Sequence, residues 1–278
     1  MEPKKAKREA GAECLCSEFF SEFFFAFFSR AASTLGGDER YWRVVPAPEF
    51  QVAGEATVVP AREGSASKWW LALECVVLFV GLPTAHRLGW LPIPVIALLV
   101  LCAGGCWLAL RLRRQVAVSD LMGGKVPGTE WRRVLTIYAL ALPMLVCFLW
   151  LLRPHALLSL LNRNPSLWLF IMVAYPLVSV FPQEVIYRVF FFSRYPALFG
   201  RGFWAILASA VVFSFGHITF HNWPAVGLTL LGGWLFATTY RRTCSLWLVV
   251  VEHVLYGWAV FTIGYGEFFL EGMAQLLR

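Results

Sequence analysis

The sequence predicts an all-α, polytopic transmembrane bundle of about seven helices, preceded by a short N-terminal segment that is interfacial or partly disordered. Three observations lead there. The chain of 278 residues is 59% hydrophobic and only 15% charged, with mean hydropathy +0.64, whereas a soluble domain carries about 25% charged residues. From Trp69 onward apolar runs long enough to cross a bilayer follow one another closely. These runs lack the two-residue alternation of a membrane barrel, so helices are left as the way to satisfy the backbone in lipid.

Taken in order, the spans are expected near 69–85, 92–110, 134–152, 166–182, 203–220, 224–240 and 244–263. Pro143 and Pro176 fall inside spans, where proline is tolerated and kinks the helix. Gly232-Gly233 permits two helices to approach closely. Trp69, Trp70, Trp131, Trp223 and Trp247 stand at span ends, as interfacial anchors do. Three regions follow: 1–68, 69–165 as N-terminal transmembrane helices, and 166–278 as the core. In the first, Lys4, Lys5, Lys7 and Arg8 precede the Phe-rich run 19–28, which is too short to span and suits the membrane interface.

With the N-terminus inside, all of the 24 Lys and Arg residues except Arg87, Arg153, Arg163 and Arg278 fall in inside segments. The positive-inside rule therefore predicts a cytoplasmic N-terminus in an inner or plasma membrane. The net charge of +7 is spread over these topology signals and phospholipid contacts, which argues against a nucleic-acid partner. The seven cysteines show no disulfide pattern, and Cys14-x-Cys16 has the wrong spacing for a zinc knuckle.

Chemistry concentrates in three apolar stretches. Gln183-Glu184-Val185-Ile186-Tyr187-Arg188 places Glu184 and Arg188 on one helix face. Phe213-Ser214-Phe215-Gly216-His217 and Val251-Glu252-His253 each bring a histidine. Each ionisable group costs about 2.5–3.5 kcal/mol at a helix centre, so their presence marks a functional site. Glu184 is expected to take a proton from water, oriented by Arg188, while His217 and His253 hold the water or an oxyanion. An ion pair that only orients helices is the bland alternative. His217 and His221 also have the spacing of a helical zinc pair, completed by His253 or Glu184, although no His-Glu-x-x-His is present. The expectation is no cofactor, with zinc as the competing use of the same residues.

The ordered set Gln183-Glu184-x-x-x-Arg188, Phe213-x-x-x-His217 and His253 resembles the CAAX protease and bacteriocin-processing family. In that family the motifs read Glu-Glu-x-x-x-Arg, Phe-x-x-x-His and His-x-x-x-Asn. The resemblance implies an intramembrane endopeptidase that hydrolyses a membrane-tethered protein or peptide at a site on the cytoplasmic side, with Glu184, His217, His253, Arg188 and Gln183 as site residues. Two positions depart. Gln183 replaces the first glutamate, which leaves Glu184 as the base of the motif. Gly257 replaces the asparagine, for which Tyr256, Glu252 or a backbone group is the expected substitute. Two other functions stay open: a catalytically silent relative that binds a membrane partner, and a proton-coupled transporter.

Overall fold

The computed structural model describes residues 67–112 and 126–269. The N-terminal segment 1–66, with its interfacial expectation and Cys14-x-Cys16, lies outside the described residues. The rest is helical: α1 Lys68–Arg87, α2 Val95–Leu112, α3 Gly128–Leu152, α4 Ser159–Arg163, α5 Pro165–Arg194, α6 Pro196–Phe199, α7 Phe203–Gly216, α8 Trp223–Thr243 and α9 Leu246–Ile263. No strand occurs among the described residues.

Six of these helices are long and apolar enough to cross a membrane: α1, α2, α3, α5, α7 with the turn after it, and α9. The seventh expected span, 224–240, forms as α8 over 21 residues, about 32 Å at 1.5 Å per residue. It is absent from the six because Gly, Thr and Trp dilute its hydropathy. The span expected at 166–182 runs on to Arg194, so Glu184 and Arg188, expected on one helix face, belong to the same helix as that span.

Local signals set the helix starts. Asn164, Asn222 and Ser245 accept hydrogen bonds from the backbone of Leu167, Ala225 and Leu248, and Pro165 and Pro224 occupy first-turn positions where no amide donor is needed. Tight reversals follow α7 and α8 at His221 and Cys244, both at positive φ. Consecutive long helices thus alternate in direction. One end of the bundle carries Lys68, Arg111, Arg133, Arg194 and Arg242, and the other carries Arg87, Arg153, Arg163 and His221.

Most helices present large apolar side chains outward, among them Leu101, Leu140, Phe170, Leu177 and Trp204. Exposure of this kind suits lipid as solvent. The exception is α9, 61% buried against 11–39% for the other five, so the last helix is the axis around which the rest pack. Its neighbours are stitched at the basic end by two ionic clamps. Arg194 grips Glu74 of α1 through two hydrogen bonds of 2.8 and 2.6 Å, joined by the Tyr195 hydroxyl. Arg242 of α8 and Arg133 of α3 converge on Glu130, and Arg133 also donates to Thr239.

Gly233 lets α8 lie directly on α7. A Cβ there would stand 2.9 Å from Phe213 Cδ1 and 3.2 Å from the Ala210 backbone. Gly233→Leu is expected to destabilise the bundle by about 1–3 kcal/mol or more through overpacking, read by steric trapping or detergent unfolding of the reconstituted protein.

Candidate active site

The unusual element is α5. It begins as an α-helix, widens into a π-helical turn at Pro176–Val180, returns to α over Phe181–Glu184, and widens again at Val185–Phe190. Pro176 and Pro182 remove amide donors at these places, and π turns re-aim the side chains around them. The consequence is a division of labour between adjacent residues. Gln183 lines a cavity of about 790 Å³, whereas Glu184 points away from it into the packed interior, with no exposed surface.

Arg188 lies beside Glu184 with Nε 3.3 Å from Oε2, an ion pair without the alignment of a hydrogen bond. Its other nitrogens donate to Ser209 Oγ at 3.2 Å, to the Tyr187 carbonyl at 3.2 Å and to the Gly233 carbonyl at 3.4 Å. The guanidinium also sits 4.8 Å from the centre of the Phe213 ring and 5.9 Å from that of Phe236. The second carboxylate oxygen, Glu184 Oε1, lies 2.7 Å from His253 Nδ1.

That contact fixes His253. With Nδ1–H donating to the carboxylate, Nε2 is left as the acceptor, and the Tyr175 hydroxyl lies 3.1 Å from it. The imidazole stacks on Phe236 at 4.4 Å and 22° and meets Phe213 edge-on. His217 is fixed the same way from another helix. Its Nδ1 lies 2.8 Å from the Phe213 carbonyl, which leaves Nε2 as an acceptor on the cavity wall. Phe213 therefore braces both imidazoles, with its ring 4.8 Å from His217 and 5.6 Å from His253. Gln183 completes the polar wall: Nε2 donates to Ser179 Oγ at 2.7 Å, and Oε1 is buried without a hydrogen-bond partner.

Three expectations change. Glu184 does not line the cavity, so its carboxylate is not placed to take a proton from a water there; it reaches the cavity only through His253. The His217–His221 zinc pair does not form, because the helix tightens into a 3₁₀ turn at His217–Phe220 and His221 adopts φ 63°. His221 instead meets Arg87, with Nε2 3.2 Å from the guanidinium. Among the described residues no three His, Cys, Asp or Glu side chains are grouped as metal ligands. Third, neither Tyr256 nor Glu252 fills the place of the missing asparagine. The Glu252 carboxylate and the Tyr256 hydroxyl are both buried without hydrogen-bond partners, while the ring of Tyr175 occupies the space over Gly257. A Cβ at 257 would collide with that ring and stand 2.6 Å from its hydroxyl.

Tyr175, Ser179, Ser209 and Phe236 complete the site and were not singled out from sequence. Tyr175 had one legible signal: it is a polar-tipped aromatic directly before Pro176, in the span that leads into the Gln183-Glu184 motif.

Residues 165–259 match the family described as Type II CAAX prenyl endopeptidase Rce1-like. These residues form a CAAX-protease-family domain. The match runs from the start of α5 into α9 and so contains every residue of the cavity wall discussed above. It makes the chain a membrane protein carrying a protease-family core. Among curated proteins and solved structures, nothing matches the chain.

Arg188 has no exposed surface, so removing it strands a buried carboxylate. Arg188→Met is expected to destabilise the domain by about 3–5 kcal/mol. The double variant Arg188→Met/Glu184→Met should recover much of that loss, as measured by detergent or steric-trap unfolding.

Proposed function

We propose that this CAAX-protease-family domain hydrolyses a peptide bond in a membrane-tethered protein or peptide, with the reaction on the wall formed by Gln183, His217, His253 and Tyr175. The observation that carries the reading is the pair of imidazoles with fixed tautomers facing one cavity. A family glutamate at position 183 is replaced by an amide, which takes no proton, and Glu184 is turned away. Of the two open acceptors on the wall, Gln183 Oε1 and His217 Nε2, the imidazole nitrogen is the basic one, and it is assigned as the base.

A water held between His217 Nε2 and Gln183 Oε1 attacks the carbonyl carbon and passes its proton to His217. The Tyr175 hydroxyl, which donates to His253 Nε2 before substrate binds, turns its single proton to the developing oxyanion. Collapse breaks the C–N bond, and His217 returns the proton to the leaving amine, giving a carboxylate and an amine. His253 holds the Tyr175 hydroxyl at the wall, Glu184 holds His253, and Arg188 holds Glu184. Dependence on glutamate is thus indirect, through orientation of His253 and not through direct proton abstraction.

The test uses a substrate identified from membranes by terminus-resolved proteomics. His217→Ala is expected to lower kcat by about 10²–10⁴-fold. Tyr175→Phe should lower kcat by about 10²-fold with KM unchanged, as expected for a contact made only in the transition state. Glu184→Gln should reduce kcat while the protein stays inserted. Full activity in all three variants would refute the assignment.

A second reading, the silent partner-binding relative, is favoured by one observation: Gln183 stands where the family pattern has a carboxylate. Gln183→Glu separates the two. An active enzyme keeps or gains activity, since the new carboxylate adds a base to the wall. A silent relative makes no new termini as it stands and gains them only with Gln183→Glu.

A further inference from the structure

We infer that Thr239, Glu252 and Tyr256 hold a file of internal water molecules between α3, α8 and α9, and that this file brings the hydrolytic water from the basic end of the bundle to the cavity wall. The inference rests on the peptidase reading for the use of that water, but the polar path itself is independent of it.

The flank of the cavity is no source of water. Four of its lining residues, Leu140, Met144, Leu151 and Phe170, are large apolar side chains exposed on the outside of the bundle. A flank of this kind meets hydrocarbon, where water is absent. On the side of α1, α2 and α5 the space between the site and the basic end is filled. Phe79, Leu110, Val185, Val189 and Phe191 are buried there in one apolar cluster. Every peptide bond hydrolysed consumes a water molecule, so the supply has to come by another route.

Buried polar atoms mark such a route on the remaining side. At the basic end Arg133 of α3 and Arg242 of α8 hold Glu130, and their side chains keep 22% and 30% of their surface exposed. Next inward, the wholly buried Thr239 accepts a hydrogen bond from Arg133, which leaves the hydroxyl proton free to be donated. Glu252 of α9 follows, beside Thr239 and Arg133 and with no exposed surface. Neither of its carboxylate oxygens has a hydrogen-bond partner among the described residues, and neither has the buried hydroxyl of Tyr256. Tyr256 stands one turn further along the same face of α9 and lines the cavity. Its ring meets Tyr138 of α3 edge-on at 5.2 Å. Counted from the start of α9, Glu252 and Tyr256 lie about 9 and 15 Å deep at 1.5 Å per residue. The polar atoms thus step from the basic end to the middle of the bundle.

Water is the occupant that fits these atoms. Buried polar groups are paired, and an internal water bonds about three of them. The Glu252 oxygens only accept, whereas the Thr239 and Tyr256 hydroxyls also donate, so waters set between them satisfy both kinds. A cation suits the place less well, because Arg133 already brings positive charge to the carboxylate. At the inner end Tyr256 faces the same cavity as Gln183 and His217, the pair assigned to the attacking water. Glu252 and Thr239 touch no reacting atom; they position water on its way in.

The test is X-ray radiolytic footprinting of the reconstituted full-length protein, in which radicals formed from bound water oxidise the side chains beside it. Tyr256 should be oxidised in the wild-type protein. Glu252→Leu, which plugs the path with an apolar side chain, should lower that oxidation about fivefold. The same variant should lower kcat on the membrane-derived substrate by about tenfold with KM unchanged. Glu252→Gln keeps polar atoms on the path and should stay near wild type in both readouts, whereas a role in balancing the Arg133 charge would make it as damaging as Glu252→Leu. Thr239→Val exchanges one hydroxyl for a methyl group and should lower both readouts, even where Glu252→Leu fails to insert. Undiminished oxidation of Tyr256 in the apolar variants overturns the water path. Lost oxidation with unchanged kcat, or equal damage from Glu252→Gln and Glu252→Leu, overturns its role as the supply. Cleavage unaltered in His217→Ala overturns the peptidase reading instead, and the footprint still decides whether water occupies the path.

Discussion

One buried ion pair joins four helices, α5, α7, α8 and α9. Glu184 and Arg188 both belong to α5 and have no exposed surface. Arg188 reaches Ser209 on α7 and the Gly233 carbonyl on α8, and Glu184 reaches His253 on α9. In a hydrocarbon surrounding neither charge is tolerable alone, so the helices are held at the spacing that keeps both satisfied. Gly233 follows from this requirement: only a residue without a side chain lets the α8 backbone come near enough to Arg188 while the Phe213 ring stacks on the guanidinium. The same pair fixes the tautomer of His253, and through it the Tyr175 hydroxyl. Structural stability and the proposed catalytic geometry therefore draw on the same atoms.

How far the sequence is legible depends on the range of the interaction. Helix content and most spans were readable, because hydropathy acts over a whole segment. α8 was readable as a helix but blurred as a span, since its glycines serve contact with α7 at the cost of hydropathy. Glu184, Arg188, His217 and His253 were visible because charge in an apolar run is conspicuous. Their division of roles was not. Whether Gln183 or Glu184 meets the cavity depends on two π turns that spacing rules for a regular helix do not anticipate, and the 3₁₀ turn that separates His217 from His221 is equally invisible. Tyr175 was missed for a different reason: an aromatic in a membrane helix is ordinary until the empty space over Gly257 explains why its ring fits there.

That complementarity between Tyr175 and Gly257 bears on how departures from a family pattern are weighed. A missing asparagine looks like loss when motif positions are compared one by one. In three dimensions the space is filled from another helix, and a hydroxyl is brought to His253 where an amide would have stood. Position 183 shows no such compensation from a neighbouring carboxylate, which is why the assignment of the base moves to His217.

The two π turns of α5 also govern which kinds of sequence change the site withstands. Each holds one residue more than a regular helical turn would. Removing that extra residue from Pro176–Val180 would let the regular hydrogen-bond ladder close with Gln183 and Glu184 still in register. A one-residue deletion in a regular turn of α5 would instead rotate everything after it by about 100°, carrying Gln183 off the cavity wall and Glu184 away from His253. The π turn is thus the place in this stretch of α5 where a residue can be lost without turning the whole constellation.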